Sequence, residues 1–184
     1  NYNTSQSAIV TITTYLYAPI LNGSESITTI GSNTAPTISN NMLCGGCGYL
    51  TNGWSNSTNW KLTLNYKIGT SDNAICLFYQ GANSRDYKWL QIGYMSGAVS
   101  LSIFDLSTSG SVITTGSFSL NTWYSLTLTK TGSNTIAYNL GQGTNGSLTW
   151  SSLSSISTLC VGNDYWDGNY STGTYIKNIK VVQI

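Results

Sequence analysis

The sequence predicts an all-β protein, a sandwich or barrel of short strands, and three observations predict it. Apolar residues recur at every second position nearly everywhere, the alternating runs are bounded by Gly, Asn, Ser or Asp, and no stretch carries a sustained 3.6-residue period with caps. A chain of 184 residues is long enough for one sizeable core, and neither an internal repeat nor a boundary divides it, so one domain over 1–184 is expected.

Taken in order, Ala8–Tyr17 places Val10, Ile12 and Leu16 on one face against Thr11 and Thr13. Leu21–Asn41 holds both prolines and many Ser and Thr, which suits an edge strand with loops. Trp60–Ile68 alternates strictly, with Trp60, Leu62, Leu64, Tyr66 and Ile68 inward and Lys61, Thr63, Asn65 and Lys67 outward. Further strands are expected at Asn73–Gln80, Tyr87–Tyr94, Ala98–Asp105, Thr122–Lys130, Thr135–Leu140, Ser157–Gly162 and Gly173–Gln183, each rich in β-branched or aromatic residues. About ten strands with short polar connections fit a sandwich or a barrel.

The order of several segments resembles a known superfamily. Trp123-Tyr124-Ser125-Leu126-Thr127-Leu128 with the turn Thr131-Gly132 is similar to a strand and turn of laminin-G-like domains; Leu159-Cys160-Val161-Gly162 resembles their short strand ending in Gly. The closing Gly173-Thr174-Tyr175-Ile176-Lys177-Asn178-Ile179-Lys180-Val181 resembles their last strand. With Trp60–Ile68 and the Asn73–Asp105 meander, residues 48–184 resemble the concanavalin A-like lectin/glucanase jelly roll. The resemblance implies a two-sheet antiparallel β-sandwich with ligands on the concave sheet or on rim loops. The texture of the chain is also similar to lectin-like modules of prokaryotic adhesins and phage tail fibres.

Composition argues against catalysis. There is no His, one Glu (Glu25), five Asp and seven Lys+Arg, and charged residues make up 7%, against about 25% in an average domain. General acid–base chemistry needs a positioned His or a tuned carboxylate pair. The glucanase branch of the resembled fold resembles E-x-D-x-x-E on a strand, and Glu25 has no acidic neighbour in sequence. A Ser/His/Asp triad is impossible, so no enzyme is expected. The net charge of +1 offers no general attraction to nucleic acid, and no apolar run approaches the ~20 residues of a membrane span.

Flat aromatic rings and neutral hydrogen-bonding groups are plentiful instead, with 13 Tyr and 6 Trp. They are densest in Gly162–Tyr170, where Asp164, Tyr165, Trp166, Asp167 and Tyr170 fall together. One reading is a sugar platform, a ring stacking on a pyranose while Asp and Asn bond its hydroxyls. Another is a packed loop with Asx turns. A third is calcium, with Asp164 and Asp167 as oxygen ligands, although the spacing is no EF-hand. A second cluster holds Arg85, Asp86 and Trp89. Arg85 offers a planar donor fork or a local ion pair with Asp86, and Trp89 lies opposite in phase to Leu90 and Ile92, which puts it on the outer or concave face, where it could bind. Trp54 reads as a loop aromatic, and Trp60 and Trp123 as core.

Cys44-Gly45-Gly46-Cys47 lacks the βαβ context of a redox motif, and a disulfide across it is expected in an oxidising compartment. A zinc site of four cysteines would need Cys76 and Cys160 brought to it. Those two are expected as buried thiols or a second bridge. The five N-x-S/T sequons, at Asn3, Asn22, Asn56, Asn145 and Asn169, match the number that 19 Asn and 52 Ser+Thr produce by chance.

The expectation is a non-catalytic recognition module of an adhesin or virion fibre. It would be extracellular, at a cell or virion surface, part of a longer protein, and would bind surface glycans or glycoproteins without a cofactor unless calcium is bound. The alternative is a structural or protein-binding spacer.

Overall fold

The computed structural model describes residues 13–30, 34–70, 74–80, 88–95, 98–105, 108–163 and 173–184. Its strands in chain order are β1 Tyr15–Tyr17, β2 Ile27–Thr29, β3 Thr37–Ser39, β4 Met42–Cys44, β5 Gly48–Leu50, β6 Trp54–Ser55, β7 Trp60–Ile68, β8 Ala74–Gln80 and β9 Lys88–Met95. There follow β10 Ala98–Asp105, β11 Thr108–Gly116, β12 Tyr124–Lys130, β13 Thr135–Asn139, β14 Asn145–Thr149, β15 Thr158–Leu159, β16 Gly162–Asn163 and β17 Thr174–Gln183. One 3-10 turn, Leu153–Ser155, is the helical content of the described residues.

The strands build an antiparallel two-sheet sandwich of the jelly-roll kind. One sheet has eight strands in the order β14-β13-β12-β7-β17-β4-β3, and β1 shares with β4 the far edge of β17. The other has seven, β11-β10-β9-β8-β16-β5-β2, and β6 and β15 pair separately. Alternation dictates the core. Leu62, Leu64, Leu126, Leu128 and Ile176 of the first sheet meet Ile75, Leu90, Ile92 and Leu101 of the second, all buried in one cluster. Each such side chain contributes roughly 1.5–3 kcal/mol of burial.

The closing strand has one irregularity with a large effect. Against β7, Lys177 pairs with Asn65 but Lys180 pairs with Thr63, so three steps on β17 match two on its neighbour. Asn178, at φ 56°, is the extra residue, and its amide bonds Asn65 Oδ1 at 2.9 Å. The bulge resets the phase. Ile176, Ile179 and Val181 all face the core, and Lys177 and Lys180 both face away from it.

Several expectations are corrected. Ser157–Gly162 is not one strand, because β15 pairs with β6 and β16 joins the seven-stranded sheet between β5 and β8. Trp54 is not a loop aromatic: it is buried, edge-on to Trp60 at 5.6 Å. Trp123 is not core. Tyr124, Leu126 and Leu128 take the inward phase of β12, which turns Trp123 outward, only half-buried.

The Cys44–Cys47 disulfide is not formed; both residues are thiols. Cys44 ends a strand of one sheet, and after Gly45 and Gly46, both at positive φ, Cys47 leads into a strand of the other. At Gly46 a side chain would also collide with the backbone of Pro36. The Cys44 thiol turns back to the Met42 carbonyl, 3.5 Å away, and Cys47 is buried. The turn is a crossover between sheets, so its two ends diverge. Cys160 is a buried thiol, as one reading expected, and burial pushes it above its usual pKa. The Cys76 side chain lies outside the described residues.

One end of the sandwich is fastened by a buried polar knot. Asn56 donates to the carbonyls of Leu153 and Ile156 at 2.7 and 3.0 Å and accepts from Trp60 Nε1 at 2.9 Å. Lys130, facing inward, donates to the carbonyls of Asn56 and Thr58, both at 3.1 Å. Burial disfavours its ammonium and lowers its pKa.

Candidate functional site

Most side chains expected to bind ligand lie outside the described residues: Arg85, Asp86, Asp164, Tyr165, Trp166, Asp167 and Tyr170. Their anchors are described. Asn163 ends β16 in register with Ile75, at the start of β8, while residues 81–87 follow Gln80, at its end. The two clusters therefore leave the sheet from opposite ends of β8, roughly 16 Å apart at 3.3 Å per residue. The segment 164–172 falls between β16 of the seven-stranded sheet and β17 of the other.

The anchor Asn163 is fully buried. Its amide donates to the Gly45 carbonyl at 2.8 Å, and its Oδ1 has no hydrogen-bond partner among the described residues. Such a group costs about 1–3 kcal/mol in a core. The residue before it must be small: a side chain at Gly162 would strike the Gly48 carbonyl, because β5 flanks β16 closely.

Trp89 stands on the face opposite Leu90 and Ile92, as its phase required, and is only 7% exposed. Its Nε1–H donates to Gln91 Oε1 at 2.9 Å. Gln91, Ser100 and Ser102 share that face by register and are likewise buried, a row of uncharged polar groups with an indole at one end. This face offers neutral hydrogen bonds and a ring, and among its described side chains no acid or base.

The outward face of the eight-stranded sheet, which sequence reasoning did not single out, is of another kind. Lys67 Nζ sits 4.2 Å from the Tyr175 ring centre and 5.4 Å from that of Trp123; Lys177 Nζ lies 4.1 Å from Trp123. Beside them Asn65 donates to Ser125 Oγ at 2.9 Å. The strict alternation of β7 foretold the outward Lys61 and Lys67. Nothing in the sequence foretold the bulge that turns Lys180 to the same side.

A cleft of about 390 Å³ is lined by Leu16, Tyr17, Pro19, Glu25, Ser26 and Asn52. Glu25 is no free acid there. Desolvation opposes its charge, but backbone N–H groups, among them those of Leu21 and Gly23, bond the carboxylate and hold its pKa below the usual value. Among the described residues no group of three His, Cys, Asp or Glu could hold a metal ion, and no helix is long and apolar enough to cross a membrane. Asp164 and Asp167, the calcium candidates, lie outside them.

No protein-family model and no curated protein matches the chain. Solved structures do. The carbohydrate recognition domain of Emp46p, metal-free, matches with a TM-score of 0.58 at 12% identity, covering 90% of this chain and 95% of that one. Galectin LEC-6 of Caenorhabditis elegans matches at 0.51 and 14% identity, over 77% and 95%. The botulinum neurotoxin serotype D binding domain matches at 0.52 and 13% identity, over 88% of this chain and 44% of that one. A Trypanosoma rangeli sialidase matches at 0.50 and 14% identity; this chain covers 27% of its length. At such identities the likeness is one of fold.

Proposed function

We propose that this chain is a non-catalytic glycan-recognition module, of the concanavalin A-like superfamily, carried by a surface adhesin or a receptor-binding fibre outside the cell. The observation that carries the reading is the near end-to-end match to a carbohydrate recognition domain, 90% of one chain on 95% of the other. The side-chain stock agrees with it. Aromatic rings and amides abound, and the acids and bases that glycosidic chemistry needs are scarce. The ligand contacts are assigned to Asp164, Tyr165, Trp166, Asp167 and Tyr170, which follow β16 in the chain, with Trp89 and with Arg85 and Asp86, which precede β9. Calcium at Asp164 and Asp167 is a variant of the same proposal.

A glycan array with the whole chain tests it, followed by Trp166→Ala. Loss of one stacking ring should weaken binding about ten- to hundredfold with the circular dichroism spectrum unchanged. An array without a hit, or a Trp166→Ala protein that binds as before, counts against the reading. An effect of chelator on affinity would single out the calcium variant.

A further inference from the structure

The register of three adjacent strands lays out a grid on the outward face of the eight-stranded sheet. Tyr175 pairs with Lys67, Lys177 with Asn65, Lys180 with Thr63, and Val182 with Lys61. On the other side of β7, Asn65 pairs with Ser125, Thr63 with Thr127, and Lys61 with Thr129. Four successive outward rows therefore carry one lysine each, the middle two on β17 and the outer two on β7. With two residues per row the step is about 7 Å and the track about 20 Å long. The bulge at Asn178 creates this order, since without it Ile179 would take the place of Lys180.

Four of the seven cations of a chain with net charge +1 thus stand in one line. No strand of this sheet contains an Asp or Glu to answer them. At one end, Lys67 and Lys177 approach the same indole, which puts their ammoniums within about 10 Å of each other, a Debye length at moderate salt. The rings of Trp123 and Tyr175 hold them by cation–π attraction, which fixes position but leaves the positive charge unneutralised. Between and beside the ammoniums lie Thr63, Asn65, Ser125, Thr127 and Thr129, neutral donors and acceptors in the same rows.

We infer that this track binds a linear acidic polysaccharide, its carboxylates or sulfates against the lysines and its hydroxyls against the Thr, Ser and Asn rows. An extended ligand fits because the charges are spread along a line. Hydroxyl-rich sugar fits better than nucleic acid, because the face has no Arg, the residue that grips phosphate with two parallel bonds. It fits better than a lipid surface because the rings beside Lys67 and Lys177, Trp123 and Tyr175, are half-buried under the ammoniums, and the exposed Tyr15, in register with Val182, stands only at the far end of the track. The track lies on the opposite sheet from Trp89, and neither surface needs the other.

The test is binding of the whole chain to immobilised heparin and polygalacturonate, with neutral dextran, duplex DNA and phosphatidylglycerol vesicles alongside, at low and physiological salt. Salt-sensitive retention by at least one acidic polysaccharide, without retention by dextran, is expected. The double variant Lys67→Gln/Lys177→Gln should lose at least about tenfold in affinity, and Lys61→Gln/Lys180→Gln somewhat less. Binding of a neutral glycan, where the array finds one, should survive in both lysine double variants, which separates this surface from residues 164–170. No retention at low salt overturns the proposal, as does unchanged binding by both double variants with native circular dichroism. Equal or tighter binding to DNA or vesicles assigns the track to another partner and overturns it too.

Discussion

The two faces of β7, β12 and β17 use the same side-chain types to opposite ends. Inward, Lys130 spends its ammonium on two carbonyls, Trp60 gives its N–H to Asn56, and Tyr66 donates to the Leu140 carbonyl at 2.9 Å. Outward, Lys67 and Lys177 lie over the faces of Trp123 and Tyr175. A buried polar group without a partner costs more than the bond itself contributes, so the inner set is paired by necessity. The outer set stands in water and bears no such demand. Its uncompensated charge is capacity for an external anion, whereas the inner charge is a fastening.

Substitution should expose that difference. The largest effect is expected at Asn56. Asn56→Ala removes donors to two carbonyls and the acceptor of Trp60 in one step, and should cost about 2–4 kcal/mol in urea unfolding. A loss under about 0.5 kcal/mol would mean the knot is incidental. Next comes the direct contrast of two lysines. Lys130→Met strands the Asn56 and Thr58 carbonyls and should cost about 1–3 kcal/mol, while Lys67→Met should stay within about 0.5 kcal/mol of the parent. Equal losses at both positions would erase the distinction between the faces.

A smaller effect is expected from alkali. Burial, aided by Tyr124, raises the Tyr66 pKa, and burial with Cys160 and Glu25 raises that of Tyr17. Both phenols stay protonated in the fold above their unfolded pKa of about 10. Their contribution is therefore complete below that pH and is lost as pH climbs beyond it. Tm should fall on raising the pH past about 10, and Tyr66→Phe, less stable at neutral pH for want of its bond to Leu140, should show a shallower alkaline fall. A parallel fall in both proteins would remove Tyr66 from the account.

Legibility in the sequence tracked the same inside–outside rule. Strands with one buried face and strict alternation, β7, β12 and β13, could be read almost to the residue, because burial imposes the period, and so could the bounds of β17, though not its bulge. The edge strand β14 (NGSLT) buries one side chain and prints no such signal, and the sequence of β11 (TSGSVITTG) prints none either. Where the chain changes sheets the period breaks: at Cys160–Val161 two short strands looked like one, and at Gly45–Gly46 a crossover looked like a disulfide loop. Trp54 hid in a two-residue strand too short to show alternation. Trp123 was legible after all, since the phase of Tyr124, Leu126 and Leu128 already placed it outside. For the candidate site, residue types along a strand gave Lys61 and Lys67. The track needed pairings between strands more than a hundred residues apart and a bulge, both set by tertiary register.

The position of β17 has a kinetic consequence. It pairs with β7 on one edge and with β4 and β1 on the other, yet it is the last of these strands to be synthesised. Until it arrives, β7 and β4 have no common neighbour, and their exposed edges are open to pairing with other chains. Nearly all its partners are distant in sequence, so loop-closure entropy is met before the contacts that offset it. Folding should be slow for a chain of this size, in the millisecond-to-second range of non-local β topologies. During synthesis the incomplete sheet is the state most exposed to aggregation.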